Sequence, residues 1–274
     1  MKKIQILTLD KDIGNYGPYA TLLMSLLMLN NAFNDLNINY TKITTIYNEI
    51  KSFINEDDII ILHTGLLGRA FNYKDIFDKL NFNFIIYNSE SVYEERWKWH
   101  KQIINHSKLF MIWDYEYENI NYLKLSFNNC FFVPPSYNVL LENMIPKNNN
   151  KDIDILFFGG INFRRKQIRN KLRASTKDLK IHFRQFENWN EQKPYIARAK
   201  IVIVVHFYEE DMPIDYYRIN SLIANKIFII HEDVQDIEKS QELYKELIIS
   251  KYENISNTCI EWLNKTQEER DNHC

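Results

Sequence analysis

The sequence has little cysteine, glycine and proline, and no strong charge of either sign. Its 274 residues include three cysteines, six glycines and six prolines, and the formal net charge is −2. Three cysteines without a CxxC spacing exclude a disulfide framework and a zinc ribbon, and they fit a reducing compartment. The small net charge excludes a protein that binds nucleic acid through overall charge alone, although a local basic groove stays compatible with it.

Long apolar runs are also missing. The most apolar helical stretch, TLLMSLLMLN at 21–30, is about half as long as the roughly 20 residues that a membrane span needs. The N-terminal MKKIQILTLD reaches Asp10 without the small-residue cleavage site of a signal peptide. We therefore expect a cytoplasmic protein without a membrane span, located in the host cytoplasm if the gene is viral.

Apolar runs alternate with helical patterns along most of the chain. The runs are continuous, which is typical of parallel strands buried on both faces. We predict strands at 4–9, 58–63, 83–88, 109–114, 130–135, 154–159, 181–186, 200–207 and 226–232. Helical patterns lie near 19–34, 74–80, 93–106, 165–173, 191–198, 215–225 and 252–270. This alternation predicts α/β architecture with doubly wound sheets.

The segment NMIPKNNNKD at 143–152 separates two such series and has the composition of a linker. We therefore predict two Rossmann-like domains, 1–145 and 146–254, that face each other across a central cleft. We expect 255–274 to form a terminal helix that packs back on the N-terminal domain.

All six glycines follow predicted strands. They form three pairs, Gly14 with Gly17, Gly65 with Gly68, and Gly159 with Gly160. Ligands of open α/β sheets bind at the carboxyl ends of strands, where glycine lets the backbone turn and approach a ligand closely. Loops also use glycine without a ligand, so each pair alone leaves both interpretations open. The joint placement favours one site to which both domains contribute.

The stretch FFGGINFRRKQI places Arg164 and Arg165 where a helix begins, just behind the third glycine pair. The N–H groups and the partial positive charge of a helix start favour phosphate, and the arginines would add charge-assisted hydrogen bonds. Cations at a helix start are otherwise unfavourable, which a phosphate ligand would explain. The alternative is a solvated arginine pair or a salt bridge to the other domain. The GxxxxGK[ST] pattern of an ATPase loop is absent.

A second polar cluster follows the predicted strand KIVIVVHF, which ends near His206. Asp215 and Arg218 are three residues apart and share one face of the helix that starts near Pro213. Asp215 could accept both hydroxyls of a ribose, and Arg218 could reach a phosphate. The alternative, which this helix alone favours, is an exposed ion pair worth about 0.3 kcal/mol.

Four blocks together resemble the GT-B-type glycosyltransferases, of the small family-1-like kind related to spore-maturation-type and viral glycosyltransferases. They are IIYNSESVYEERW (85–97), MIWDYEYENINYL (111–123), FFVPPSYN (131–138), and DILFFGGINFRRKQI followed by the segment 200–233. Together they cover roughly residues 83–235, and the first 80 residues rest on the β-α pattern. Each motif is degenerate by itself, and their order makes the resemblance more specific.

The resemblance implies a hexosyl- or pentosyltransferase that moves a sugar from a nucleotide-sugar donor to an acceptor hydroxyl. The first domain would bind the acceptor and the second the donor. The acceptor would be a glycan, or a hydroxymethylated base in DNA if the gene is viral. The implied donor-binding residues are Gly14, Gly17, Gly159, Gly160, Asn162, Arg164, Arg165, His206, Asp215 and Arg218. Asp215 is one methylene shorter than the glutamate that the family often has on this helix.

GT-B enzymes usually work without a bound metal, and no DxD follows a predicted strand here. We therefore predict no metal and no cofactor besides the nucleotide-sugar co-substrate, with cations and helix dipoles stabilising the departing diphosphate. A base from the first domain must take the acceptor proton. Candidates at strand ends are Asp10, His63, Glu90 and Asp114. We rank Asp10 and His63 equally. A histidine that ends a strand is more often structural, and Glu90 can instead cap a helix.

Two other functions stay open at this point. A non-catalytic nucleotide or nucleotide-sugar binding protein would retain the fold and show stabilisation by ligand without turnover. A structural or regulatory protein would retain only the fold. An acceptor in DNA would require a basic face on the first domain, for which the segment 95–108 offers Arg96, Lys98, Lys101 and Lys108.

Overall fold

A computed structural model gives the architecture of the chain. It describes residues 4–8, 40–44, 59–63, 83–88, 92, 104–105, 107–135, 137, 139–175, 178–209, 214–234, 244–245 and 247–274. Of these, the residues up to 135 belong to one compact unit and those from 137 to a second. The sequence analysis placed this boundary later, after residue 145.

The first unit contains a parallel sheet with the strand order β2-β1-β3-β4-β5-β6. Its strands are β1 (Ile4–Thr8), β2 (Tyr40–Thr44), β3 (Ile59–His63), β4 (Asn83–Asn88), β5 (Leu109–Asp114) and β6 (Cys130–Phe132). Phe84, Ile86 and Ile112 in its centre are fully buried, as expected for continuous apolar runs covered on both faces. Helix α1 (Tyr117–Lys124) follows β5 and buries Ile120 and Leu123.

The second unit contains a parallel sheet with the order β8-β7-β9-β10-β11. Its strands are β7 (Ile153–Phe158), β8 (Ile181–Arg184), β9 (Ala199–Val204), β10 (Ile229–Glu232) and β11 (Ile248–Ser250). Its helices are α2 (Phe163–Ser175), α3 (Trp189–Arg198), α4 (Tyr216–Ala224), α5 (Ile255–Leu263) and α6 (Gln267–His273). One-turn 3-10 helices lie at Val139–Leu141 and Tyr252–Asn254.

The terminal segment packs on the second sheet. Ile255 and Cys259 of α5 are buried in one apolar core with Phe157 of β7 and Ile168 of α2. In place of the single helix expected over this segment, the chain forms α5 and α6, because Thr266 starts a new helix with a capping box. Packing of this segment on the first domain stays a prediction.

Both sheets repeat one strand order, and every neighbouring pair is parallel. The second strand lies outside the first, and the third strand continues on the other side. The order therefore reverses between β1 and β3 and between β7 and β9. A crevice opens at the carboxyl ends of the strands at such a reversal, and ligands bind there. Gly159 and Gly160 follow β7 at this point, and Val205 and His206 follow β9.

The predicted parallel α/β sheets are confirmed, and nine of the observed strands overlap predicted ones. The sequence analysis missed β2 and β11, which are edge strands of their sheets. Their sequences, YTKIT and IIS, contain no long apolar run of the kind that indicates the central strands. It also missed α1, a short helix rich in polar residues. Among the described residues, no helix is long and apolar enough to cross a bilayer.

Candidate functional site

The carboxyl ends of β7 and β9 bring a glycine turn together with two arginines. Gly159 has a φ of +132°, a backbone conformation that strains any residue with a side chain. A Cβ atom at this position would lie 3.3 Å from Arg218 Nη2 and 3.8 Å from Arg165 Nη1. Its N–H donates to the carbonyl of Arg184 at 3.0 Å, which holds the turn against β8. The positive φ therefore favours glycine, and a Cβ would also force Arg218 to shift by a few tenths of an ångström.

Asn162 joins the loop after β7 to the loop after β9. Its side-chain Oδ1 caps α2 by accepting from the N–H of Arg165 at 3.0 Å. Its Nδ2 donates to the carbonyl of Phe207. Gly160 lies against the Phe207 ring, since a Cβ at Gly160 would be 3.5 Å from Phe207 Cε2. The two loops therefore form one connected rim.

Arg165 is a buried cation whose hydrogen bonds go to carbonyl groups. Its Nε donates to the carbonyl of Val205 at 3.0 Å, as does Nη2, and its Nη1 donates to the carbonyl of Gly160 at 2.7 Å. In the described part of the chain no carboxylate forms an ion pair with it. Burial, and then the charge of Arg218, lower the pKa of Arg165 to about 9. Arg165 is still charged at pH 7, and an anion beside it would oppose this lowering of its pKa by favouring the charged form.

Arg218 reaches the same turn from α4. Asp215 caps that helix, with Oδ1 accepting from the Arg218 N–H at 3.1 Å, and its Oδ2 lies 3.2 Å from Arg218 Nη1. This is the i,i+3 ion pair of the alternative interpretation, but the arginine side chain is only 13% exposed. The buried Nε of Arg218 has no hydrogen-bond acceptor within the described residues, and Nη1 meets Asp215 as an ion pair without hydrogen-bond geometry. Burial raises the pKa of Asp215, but the charge of Arg218, together with His231 and the Arg218 N–H, outweighs it and the pKa lies below its usual value.

Arg164 points to a different partner than Arg165. Its guanidinium forms a two-point ion pair with Glu232, with Nη1 2.6 Å from Oε2, and Nη1 also donates to the carbonyl of His206 at 3.2 Å. Its Cζ lies 3.8 Å from the centre of the Tyr252 ring. Glu232 also accepts from the N–H of His206 at 2.8 Å. Most donors of Arg164 are therefore used inside the unit, and its role as a phosphate ligand stays a prediction that this ion pair weakens.

Two buried histidines lie behind the arginines. The rings of His206 and His231 are 5.3 Å apart, and burial lowers the pKa of each to about 4, so both are neutral at pH 7. His231 Nε2 accepts from the N–H of Asp215 at 3.3 Å, and His206 Nε2 lies 3.0 Å from the carbonyl of Asp233. His231 positions the start of α4, and neither histidine adds charge. The positive charge at Gly159 thus comes from Arg165 and Arg218.

The carboxyl ends of β4 and β5 in the first unit carry buried acids instead. Asp114 is fully buried and accepts from Asn88 Nδ2 at 2.8 Å, from Asn119 Nδ2 at 3.0 Å and from the N–H of Glu116 at 2.9 Å. Burial raises its pKa to about 7. Burial, and then the charge of Asp114, raise the pKa of Glu116 to about 8. The hydrogen bonds that Asp114 accepts hold the β5–α1 turn. Glu116 Oε2, in contrast, is buried without a partner among the described residues.

The predicted site residues divide into those that the structure describes and those that it does not. It brings Gly159, Gly160, Asn162, Arg165, His206, Asp215 and Arg218 to one edge of the second sheet. His63 is the last residue of β3, next to the strand-order reversal of the first sheet. Asp10, Gly14, Gly17 and Glu90 lie outside the described residues. Roles in binding and catalysis stay predictions for all of them.

Sequence reasoning missed three residues of this edge, Glu232, His231 and Tyr252. A signal for the first two was present, because KIFIIHED ends an apolar strand in two polar residues. Tyr252 lies in a segment with no motif. In the described part of the chain, no group of three or more His, Cys, Asp or Glu side chains could hold a metal ion. Independence from metal stays a prediction.

Comparison with known proteins finds similarity in structure only, since no family model and no curated protein matches the sequence. Sucrose-phosphate synthase from Thermosynechococcus elongatus aligns over 99% of this chain and 94% of its own, with 12% identity and a TM-score of 0.59. AviGT4, a glycosyltransferase involved in avilamycin A biosynthesis, aligns over 100% and 92%, with 8% identity and a TM-score of 0.55. HepE from Anabaena, solved in complex with UDP, aligns over 100% and 93%, with 10% identity and a TM-score of 0.52.

The length of this chain corresponds to nearly all of these three proteins. It spans only 53% of TarM, which matches over 83% of this chain with 12% identity and a TM-score of 0.55. At such low identities the likeness establishes the fold and not the activity. The two parallel sheets of this chain therefore form a GT-B glycosyltransferase fold, as the sequence motifs implied.

Proposed function

We propose that this protein is a glycosyltransferase that binds the diphosphate of a nucleotide-sugar donor at the carboxyl ends of β7 and β9. One observation carries the proposal: Arg165 and Arg218 converge on Gly159, where the strand order of the second sheet reverses. Within the described residues, Arg165 has no ion-pair partner, and the buried Nε of Arg218 has no acceptor, although Asp215 pairs with Nη1. A diphosphate is the kind of anion that would satisfy both arginines.

The same arrangement supports the chemistry of sugar transfer. When the bond between the anomeric carbon and the phosphate oxygen breaks, negative charge grows on the departing diphosphate. Arg165 and Arg218, together with the start of α2, would stabilise that charge from fixed positions. Hydrogen bonds to Val205 and Gly160 hold Arg165 in place before the donor arrives. The proposal uses no metal ion and no cofactor besides the nucleotide-sugar.

The remaining parts of the donor and the acceptor follow from the sequence motifs. UDP in the structurally similar HepE supports a nucleotide as the carrier. Asp215 would contact the ribose, although its carboxylate already holds Arg218. The base that takes the proton of the acceptor hydroxyl would come from the first unit, with Asp10, His63 and Glu90 as candidates. The acceptor would be a glycan or a hydroxymethylated base in DNA, and the enzyme a hexosyl- or pentosyltransferase acting in the cytoplasm.

The proposal is tested by measuring UDP binding to the wild type, Arg218→Ala and Arg198→Ala by titration calorimetry. Arg198 is the matched control because it also pairs with an aspartate, Asp152, at the opposite edge of the second sheet. We expect Arg218→Ala to weaken UDP binding at least tenfold, since it removes charge-assisted hydrogen bonds to phosphate. Arg198→Ala should bind like the wild type.

Turnover is measured on the wild type with a panel of UDP- and GDP-sugars, by the release of nucleoside diphosphate in the presence of glycan or DNA acceptors. Release that depends on a donor and an acceptor is the expected result. Saturable binding without release for any pair would favour the non-catalytic nucleotide-binding protein. A wild type that binds no nucleotide of the panel, or an Arg218→Ala variant with unchanged affinity, would contradict the proposed site.

A further inference from the structure

A cavity of about 430 Å³ lies at the amino edge of the second sheet, on the side opposite to Gly159. One wall is the segment 142–151, which leads into β7, and the other is 224–227, where α4 ends before β10. The cavity has the size of a site for a small molecule. It is separate from the donor site, because parallel strands place their amino and carboxyl ends at opposite edges of the sheet.

Three lysines line the cavity: Lys147, Lys151 and Lys226. None of the three forms an ion pair with a carboxylate in the described part of the chain. The one acidic residue in the lining, Glu142, accepts a hydrogen bond from the hydroxyl of Tyr137. The lining therefore carries an excess of two positive charges, in a chain whose formal net charge is −2.

Lys151 is not an ordinary surface lysine. Its side-chain Nζ donates to the carbonyl of Ala197 at 2.9 Å, which fixes the ammonium group at the cavity wall. Burial lowers its pKa, and Asp271 opposes that effect only in part. Within the described residues, the other two ammonium protons have no acceptor, and an anion in the cavity would supply one.

The main evidence for a binding site is the backbone conformation of Lys226. The residue occupies the position after α4 that glycine usually takes: its N–H donates to the carbonyl of Ile223, and the N–H of Ile227 donates to the carbonyl of Leu222. Its φ is +53°, which costs conformational energy for lysine and none for glycine. In the described chain only one other non-glycine residue, Asn143 at +58°, has a positive φ, and it lines the same cavity. Asparagine adopts this conformation readily, so Lys226 is the strained residue of the two, and strained residues concentrate at functional sites.

Asn225 holds the two walls together. Its Nδ2 donates to the carbonyl of Leu141 at 2.7 Å and to the carbonyl of Ser221, and its Oδ1 accepts from the N–H of Ile145 at 3.1 Å. One side chain thus connects α4 to the beginning of the segment that forms the other wall. The lysines are presented on a pre-formed frame, which lowers the entropy cost of binding.

We propose that this cavity binds a small molecule with a phosphate monoester group, held by Lys151 and Lys226 with support from Lys147. The ligand carries two negative charges, which matches the excess positive charge of the lining, and the volume leaves room for a sugar-sized body beside the phosphate. The inference does not depend on the proposed transferase activity.

The test uses the full chain with Arg218→Ala, which removes one of the two donor-site arginines and so weakens anion binding at that site. In this background we compare Lys226, Lys226→Gly and Lys226→Arg by titration with inorganic phosphate and with glucose 1-phosphate. We expect saturable binding with Lys226 and with Lys226→Arg, and at least tenfold weaker binding with Lys226→Gly. Without ligand, Lys226→Gly should also raise the melting temperature, because glycine relieves the strained backbone.

The two probes separate the sources of the phosphate. Tighter binding of glucose 1-phosphate than of phosphate identifies an organic phosphate monoester, and equal binding identifies inorganic phosphate and overturns the ligand class. Lys226→Gly with affinity within twofold of its parent overturns the site, even if its melting temperature rises. Absence of saturable binding in the Arg218→Ala background also overturns it. None of these results bears on UDP binding by the wild type, so the two proposals fail independently.

Discussion

The two sheets of this protein share one strand order, but within the described residues the groups buried at their carboxyl ends are acids in the first and arginines in the second. In the first sheet, Asp114 and Glu116 are buried beyond β5, and burial raises the pKa of both. In the second sheet, Arg164 and Arg165 are buried beyond β7, with Arg218 beside them. The strand order locates a crevice in each unit, but the side chains at the strand ends decide which chemistry it supports.

The charges are also compensated in different ways. The charge of Arg164 is balanced by the carboxylate of Glu232, whereas the charge of Arg165 is stabilised by hydrogen bonds to carbonyl oxygens. The acids of the first sheet have no cationic partner in the described chain, so protonation compensates them instead. An ionised, buried carboxylate therefore stabilises the fold of the second unit, where it pairs with an arginine. In the first unit, where it has no such partner, it destabilises the fold. The same substitution of glutamate by glutamine should act in opposite directions.

The largest effect is expected for Glu232→Gln. The change leaves the buried guanidinium of Arg164 without its counter-charge, which should lower the free energy of unfolding of the second unit by about 4 kcal/mol. Urea unfolding followed by hydrogen exchange of the β9 and β10 amides measures it. Asp154→Asn is the control, since it breaks the less buried pair with Lys200 and should cost about 1 kcal/mol or less. Equal losses of unfolding free energy in the two variants would show that the buried Arg164–Glu232 pair contributes no more to stability than the less buried pair.

Glu116→Gln should raise the stability of the first unit at high pH. In the unfolded chain Glu116 ionises near its usual pKa of about 4.5, and in the folded protein only near pH 8, so its neutral form favours folding. That contribution is complete below pH 4.5 and is lost as the pH rises to 8. Glutamine is always neutral, so we expect the variant to be more stable by about 3 kcal/mol at pH 8.

The difference between Glu116→Gln and the wild type should vanish near pH 4. Hydrogen exchange of the β5 and α1 amides under increasing urea, at pH 4 and pH 8, measures it for this unit. A variant that is destabilised at both pH values would mean that Glu116 is ionised and paired in the folded protein. In that case the contrast between the two sheets would not hold.

The smallest effect is expected for Gly159→Ala. Alanine at a φ of +132° is strained, and its Cβ would lie 3.3 Å from Arg218 Nη2, so we expect a loss of about 2 kcal/mol. Gly160→Ala is the control because its φ is not positive and its Cβ would make an ordinary contact with Phe207. It should stay within about 1 kcal/mol of the wild type. Thermal unfolding compares the variants, and equal midpoints would show that the turn tolerates a side chain.

Much of this architecture was readable from local sequence. Continuous apolar runs indicated the central strands, and the Gly159-Gly160 turn with the arginines behind it indicated where the proposed site of the second sheet lies. The edge strands β2 and β11 and the helix α1 were not predicted, because their residues carry too little apolar surface to form a pattern. The Schellman motif that ends α4 was not predicted either, because lysine stands where glycine is expected.

Neighbours along the chain were enough to predict that arginines, an aspartate and a histidine would gather at the edge of a parallel sheet. They could not show which arginine is free to bind an anion. Arg164 and Arg165 are adjacent in sequence, yet one pairs with Glu232, 68 residues away, and the other faces Gly159 and Arg218. Successive helix positions point about 100° apart, so the partner of each charge is selected by packing across the sheet and not by local sequence.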